Sequence, residues 1–159
     1  MPRKRLLALV IAGLAPLALI ASTAHAAERT LEFQLVTKAL DPRTLEAPNI
    51  EGQTITQSKA FGVTVFKDGR IGTKEYIFAS DMNKGVGSSF GYSTYTFDDG
   101  TLTARFSFAT GQQGGHGEYK ILSGTGAYAG ASGTGTFDGV PSTIKNATIY
   151  KVKLQMVTP

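Results

Sequence analysis

The sequence contains no cysteine and no tryptophan, and of its two histidines only His116 lies beyond the first 26 residues. Without cysteine there is no disulfide framework, thiol nucleophile or thiolate metal site, so the fold must be held by its own apolar core. One histidine is too few for the common zinc centres, and any Ser-His-Asp arrangement would have to use His116. Helical periodicity is missing too. No stretch repeats apolar residues at three- and four-residue intervals over the length of an amphipathic helix.

A basic surface is also lacking once the N-terminus is set apart. "MPRKR", the apolar run "LLALVIAGLAPLALIA" and the small-x-small ending Ala24-His25-Ala26 have the layout of a signal peptide over residues 1–26. The run is interrupted by Pro16 and is shorter than the roughly 18–20 residues a spanning helix needs, so no membrane span is expected after processing. Removing Arg3, Lys4 and Arg5 takes Lys plus Arg from 16 to 13 against 12 Asp plus Glu, and the net charge from +4 to +1. The remaining charges are scattered singly, which argues against nucleic acid as a partner. The expectation is an exported protein, secreted or periplasmic, with one domain over residues 27–159.

What fills that domain is a repeated theme of aromatic or β-branched runs followed by turns. "TLEFQLV" alternates Leu31, Phe33 and Leu35 with Glu32 and Gln34, the period of a half-buried strand. Residues 39–58 are the least regular and predict a long loop with a short strand around Gln53–Gln57. From Lys59 onward, "KAFGVTVF", "RIGTKEYIFA", "SSFGYSTYTF", "TLTARFSFA", "GEYKILS", "ASGTGTF" and "NATIYKVKLQMV" read as strands, with Asp68-Gly69 and Asp99-Gly100 as hairpin turns. Such spacing predicts an all-β barrel or sandwich. By parity Phe90 and Tyr92 share one face of their strand, and Tyr95 and Phe97 the other. Either the barrel exposes aromatics that loops or a neighbouring subunit cover, or a bulge swaps the faces.

The stretch "YKILSGTGAYAGASGTGTF" contains Gly124, Gly126 and Ala129 in the order of a dinucleotide fingerprint. That fingerprint needs a helix opening at its third position, and "GASGTGTF" cannot nucleate one. No Gly-Lys-Ser/Thr exists for a Walker loop either. The physical alternative is a tight excursion between neighbouring strands: Gly124 and Gly126 supply positive φ, Tyr128 folds inward as a plug, and Gly130, Gly133 and Gly135 thin the next strand. The same residues carry a family resemblance. Ser123-Gly124-Thr125-Gly126, Tyr128, Ala131 and Gly133 resemble the glycine motif of the allene oxide cyclase and dirigent superfamily, and the likeness extends over about residues 59–157.

The resemblance implies an eight-stranded antiparallel up-and-down β-barrel of calycin-like type, often a homotrimer, with an apolar cavity. It implies a small apolar or phenolic ligand, no cofactor and no metal, and, if there is turnover, a cyclase or isomerase activity. Plant-type cyclases carry a Glu-x-Asn pair on the first strand; Gln34 and Val36 stand at those positions here, with Glu32 two residues out of register. The absence of tryptophan argues against a classical lipocalin, whose Gly-x-Trp signature needs it.

The candidate acid–base groups are Glu32, Gln34, Glu75 and His116. Glu75 has the opposite parity to Tyr76 and Phe78, so it is solvated if those rings face the cavity and a buried acid if they do not. Arg105 has the same ambiguity against Leu102, Ala104 and Phe106. His116 sits among glycines, a mobile group at a cavity mouth or an exposed loop residue. Tyr76, Tyr92 and Tyr119 are expected to line the cavity with polar tips, or else to be ordinary core. Asn146-Ala147-Thr148 matches a glycosylation sequon.

Overall fold

A computed structural model describes residues 26–112 and 114–159. The expected signal peptide lies outside the described residues apart from Ala26. Nine strands follow: β1 (Ala27–Ala39), β2 (Arg43–Glu46), β3 (Gln53–Phe66), β4 (Ile71–Asn83), β5 (Val86–Phe97), β6 (Gly100–Gly111), β7 (Gly114–Gly126), β8 (Ser132–Val140) and β9 (Thr148–Thr158). All pair antiparallel in the order β1-β9-β8-β7-β6-β5-β4-β3-β2, and β1 also pairs with β3. The β1–β3 ladder, from Phe33 opposite Phe66 to Ala39 opposite Ala60, closes the sheet into an eight-stranded barrel. The extra strand, β2, lies on the first part of β3. Closure leaves the eight barrel strands no free long edge.

In the expected long loop over residues 39–58, the short strand around Gln53–Gln57 is the start of β3, and a further strand, β2, stands where only loop was expected. Arg43–Glu46 pair with Thr54–Gln57, and the Thr44 and Thr56 hydroxyls meet at 2.8 Å across the ladder. The polar, proline-punctuated sequence hid this because β2 has no buried face, so no alternation marks it.

Inside the barrel the parity is unbroken along β5. Gly91, Ser93 and Tyr95 are buried, whereas Phe90 and Tyr92 are 54% and 49% exposed. The aromatics therefore occupy both faces without a bulge. Among the described residues the one register shift lies between β6 and β7, where Thr103 faces Ser123, Ala104 faces Ile121 and Leu122 is the extra residue.

One end of the barrel is sealed by the glycine stretch. Tyr128 is 1% exposed and packs on Phe97, ring centroids 5.5 Å apart, with the Arg29 guanidinium 5.5 Å from its ring centroid. Gly126 adopts φ 60°, as the tight excursion requires. Gly124 does not have positive φ; it is needed because a Cβ there would come within 2.3 Å of the Tyr128 carbonyl oxygen and 2.8 Å of that of Thr101. Gly130, with φ 71°, belongs to the turn before β8 rather than to the strand.

Candidate functional site

Above the sealed end the lumen is lined by alternate residues of every barrel strand, and most are apolar or aromatic. The polar exceptions are Thr37, Ser58, Thr64, Ser93 and Thr158, all small, and Lys74, the one buried charged group among the described residues. On β4 it shares the inward parity of Gly72, Tyr76 and Phe78, and only 3% of it is exposed. Its Nζ donates a hydrogen bond to the Tyr119 hydroxyl at 2.8 Å. Around it stand the rings of Tyr76 (4.4 Å to the centroid), Phe106 (4.9 Å), Tyr119 (4.9 Å) and Tyr95 (5.2 Å). No carboxylate among the described residues pairs with it. An ammonium with one hydroxyl partner in an aromatic shell has lost most of its hydration, and burial lowers the Lys74 pKa to about 7. Near neutrality the group is thus divided between amine and ammonium.

The tyrosines around it are pushed the other way. Burial raises Tyr76, Tyr95 and Tyr119, the last well above its ordinary value, and raises Tyr150 to about 12. All four hydroxyls therefore stay protonated at neutral pH. The Tyr95 ring stands edge-on to that of Tyr119 at 6.0 Å, and its buried hydroxyl has no hydrogen-bond partner among the described residues.

Lys74, Tyr76, Phe106, Tyr119 and Tyr150 line a cavity of about 70 Å³ whose rim includes Phe78, Ser89 and Phe108. The rim side chains are half-buried, so the cavity meets solvent at the end opposite Tyr128. It is smaller than ligand pockets usually are. A wider groove of about 640 Å³ runs over the outer face of β3, β1, β9 and β8. That groove is lined by exposed charged side chains, including the Glu32–Lys153 pair at 3.3 Å, and lacks the enclosure that makes a polar group chemically distinctive.

The four sequence candidates for acid–base work all lie outside. Glu32 and Gln34 alternate with the buried Leu31, Phe33 and Leu35, so they line the outer groove; Val36, the other position aligned with the cyclase pair, shares their outward parity. Glu75 is exposed between Phe61 and Thr94 on the neighbouring strands. His116 is outward on β7, not in a loop, and its Nδ1 lies 2.6 Å from Asp138 Oδ1 at an exposed site. Arg105 is exposed as well. Of the three expected cavity tyrosines, Tyr76 and Tyr119 face the lumen and Tyr92 faces outward, because β5 directs its odd-numbered residues inward.

Lys74 was missed, although its signal was present. The parity that placed Glu75 against Tyr76 and Phe78 places Lys74 with them. Among the described residues no cluster of three His, Asp or Glu side chains could hold a metal, and no helix is long and apolar enough to cross a membrane.

No protein-family profile matches the chain, and no curated protein matches it. Solved structures do. A pterocarpan synthase dirigent protein superposes with TM-score 0.60 at 15% identity, over 94% of this chain and 98% of its own. A second pterocarpan synthase dirigent protein gives 0.58 at 14% identity, covering 82% and 94%. Pyocyanin demethylase gives 0.50 at 16% identity, covering 80% and 99%. At such identities the likeness shows the fold alone: this chain has the barrel of the dirigent and allene oxide cyclase-like proteins.

Proposed function

We propose that the protein is an exported barrel that takes an apolar, oxygenated small molecule into its lumen, anchors the oxygen at Lys74 and Tyr119, and steers cyclisation or coupling of that molecule by shape. The observation that carries this reading is a buried lysine with a hydroxyl as its hydrogen-bond partner, at the wall of a solvent-connected aromatic cavity. An apolar environment with few convergent polar groups suits a ligand that is mostly hydrocarbon. Lys74 as ammonium donates to a ligand oxygen and stabilises negative charge developing there, and the tyrosine hydroxyls donate without ionising. Positioning of the bound molecule then supplies most of the rate. Export rests on the leader-like residues 1–26.

The small cavity favours a second reading, a barrel that binds without turnover or serves as a scaffold. Its ligand would enter only if Tyr76, Phe78, Phe108 and Tyr150 swing outward. A homotrimer accords with either reading: Phe61, Ile77, Phe90 and Tyr92 expose a contiguous apolar face on β3, β4 and β5 that a neighbouring subunit would cover.

Native mass spectrometry of residues 27–159, purified from the natural host, tests these readings. A retained apolar molecule, released by Lys74→Met with the barrel still folded, supports the lumen site, and turnover of that molecule decides between enzyme and carrier. An empty barrel that fails to take up fatty-acid epoxides and phenolics leaves the scaffold. The same spectrum reads the subunit number.

A further inference from the structure

A lysine kept in an aromatic lumen is a costly way to make one hydrogen bond. A glutamine or a second tyrosine would donate to the Tyr119 hydroxyl without the desolvation an ammonium suffers. What lysine alone provides is a primary amine, and here it lies at a cavity wall, 2.8 Å from a hydroxyl able to relay protons, with no carboxylate holding it as ammonium.

We propose that Lys74 is a carbonyl-capturing amine, and that the lumen takes a small aldehyde or ketone as an imine on Nζ with Tyr119 as the proton relay. The proposal rests on the reading of the lumen as a ligand site and narrows its oxygenated ligand to a carbonyl compound.

The step balances without an oxidant or reductant. The Nζ lone pair attacks the carbonyl carbon, the C–N bond forms, and the carbonyl π electrons move to oxygen. One amine proton passes to the Tyr119 oxygen as the Tyr119 hydroxyl proton passes to the former carbonyl oxygen, giving a carbinolamine. A second relay through the same hydroxyl delivers the other amine proton to the departing oxygen; the C–O bond breaks, C=N forms, and one water leaves. Both relays regenerate the phenol, so a hydroxyl that never ionises is sufficient.

The surroundings favour this chemistry. Burial keeps a large fraction of Lys74 as free amine at neutral pH, where an ordinary lysine is almost wholly protonated. The groups facing it are Tyr76 on its own strand, Tyr95 from β5, Phe106 from β6, Tyr119 from β7, Phe137 from β8 and Tyr150 from β9. None carries a charge near pH 7, so no neighbour opposes the neutral amine. The aromatic walls also limit the water that would hydrolyse the imine. A cavity of about 70 Å³ restricts the partner to a few heavy atoms unless the rim opens.

The test treats the whole processed chain with propanal and sodium cyanoborohydride at pH 7 and maps propylated lysines by peptide mass spectrometry. Capture predicts propylation of Lys74 at least about tenfold faster than of the exposed Lys59 and Lys120, as expected for a lysine whose pKa burial has depressed. Tyr119→Phe slows the Lys74 reaction by about tenfold, the usual scale of a lost proton relay, and leaves the surface lysines unchanged. Lys74 reacting no faster than the surface lysines in the folded protein overturns the proposal.

A parallel titration with 1-propanol, followed by NMR of lysine methylene carbons, separates the two readings. If the alcohol shifts the Lys74 signals and no imine is trapped, the lumen still takes oxygenated ligands and capture is wrong. If neither occurs, both readings fall.

Discussion

The two ends of the barrel are built from the same residue types and differ in how completely these are enclosed. At the sealed end Phe33, Phe66, Phe97 and Tyr128 form a contact chain, with Phe33–Phe66 centroids 5.0 Å apart and Phe66–Phe97 5.7 Å apart, under short turns at Asp68-Gly69 and Asp99-Gly100 and the Tyr128 excursion. At the other end Phe108, Phe137 and Tyr150 also cluster, at 5.2–5.6 Å, but two of these three, Phe108 and Tyr150, are only half-buried, against one of the four, Phe97, at the sealed end. There the connection between β8 and β9 is longer and the β6–β7 turn is rich in glycine. Aromatic packing stabilises where it is enclosed, and where it is half enclosed it leaves a wall open to solvent. Lys74 lies between the two regimes.

The largest effect that would break this comparison is at the sealed end. Phe33 is 5% exposed and touches three aromatic rings, so Phe33→Ala is expected to cost about 3–5 kcal/mol in urea unfolding. It should leave the pH dependence of stability unchanged. A loss below about 1 kcal/mol would show that the sealed end is not the rigid half.

Next in size is Lys74→Met. The folded pKa of Lys74 lies near 7, below the 10.5 of an ordinary lysine, so the unfolded chain binds more protons between those values. Stability therefore rises as pH goes from about 7 toward 10 and is flat below 7, where the full penalty applies. Above about 10 the buried tyrosines reverse the trend, because they ionise in the unfolded chain first. Lys74→Met removes the rise. It is expected to be more stable than the parent at pH 6 by about 1–3 kcal/mol, the lost hydrogen bond to Tyr119 subtracting about 1 kcal/mol. Denaturation at pH 6, 8 and 9.5 measures it, and parallel pH profiles for the two proteins would mean that Lys74 is not titrating in the lumen.

At the open end, Phe108→Ala removes a half-buried ring and should cost about 1–2 kcal/mol, less than Phe33→Ala, while enlarging the cavity mouth. Faster ligand entry with modest destabilisation sharpens the contrast between the ends. Equal costs for Phe33→Ala and Phe108→Ala would erase it.

How far the sequence disclosed all this depends on which signal each feature leaves. Alternation marks a strand only when one face is buried, which is why β1 and β5 were readable and β2, exposed on every residue, was not. The glycine stretch was legible as a tight, non-nucleotide excursion because a helix cannot start there, but the separate reasons for Gly124 and Gly126 are contacts and dihedrals that composition does not encode. For the site, parity was applied to Glu75, whose solvated alternative the structure bears out, and not to Lys74 beside it. The resemblance drew attention to Glu32 and Gln34 and titratable chemistry to Glu75 and His116, whereas burial singles out Lys74. An exposed carboxylate and a buried amine look equally polar in a sequence, and only the closed sheet tells them apart.

That distinction yields the smallest prediction. Glu75 follows Lys74 directly and is the nearest carboxylate in sequence, yet β4 directs it to the outer face between Phe61 and Thr94. A carboxylate on the far side of a strand is separated from Nζ by the backbone and the sheet, and water screens what field remains. Glu75→Gln should therefore change stability by no more than about 0.5 kcal/mol and leave the Lys74-dependent rise between pH 7 and 10 where it was. If that rise moves instead, Glu75 is electrostatically coupled to the lumen, and the barrel wall would have to be thin or rearranged enough at β4 for inside and outside to lose their separate chemistry.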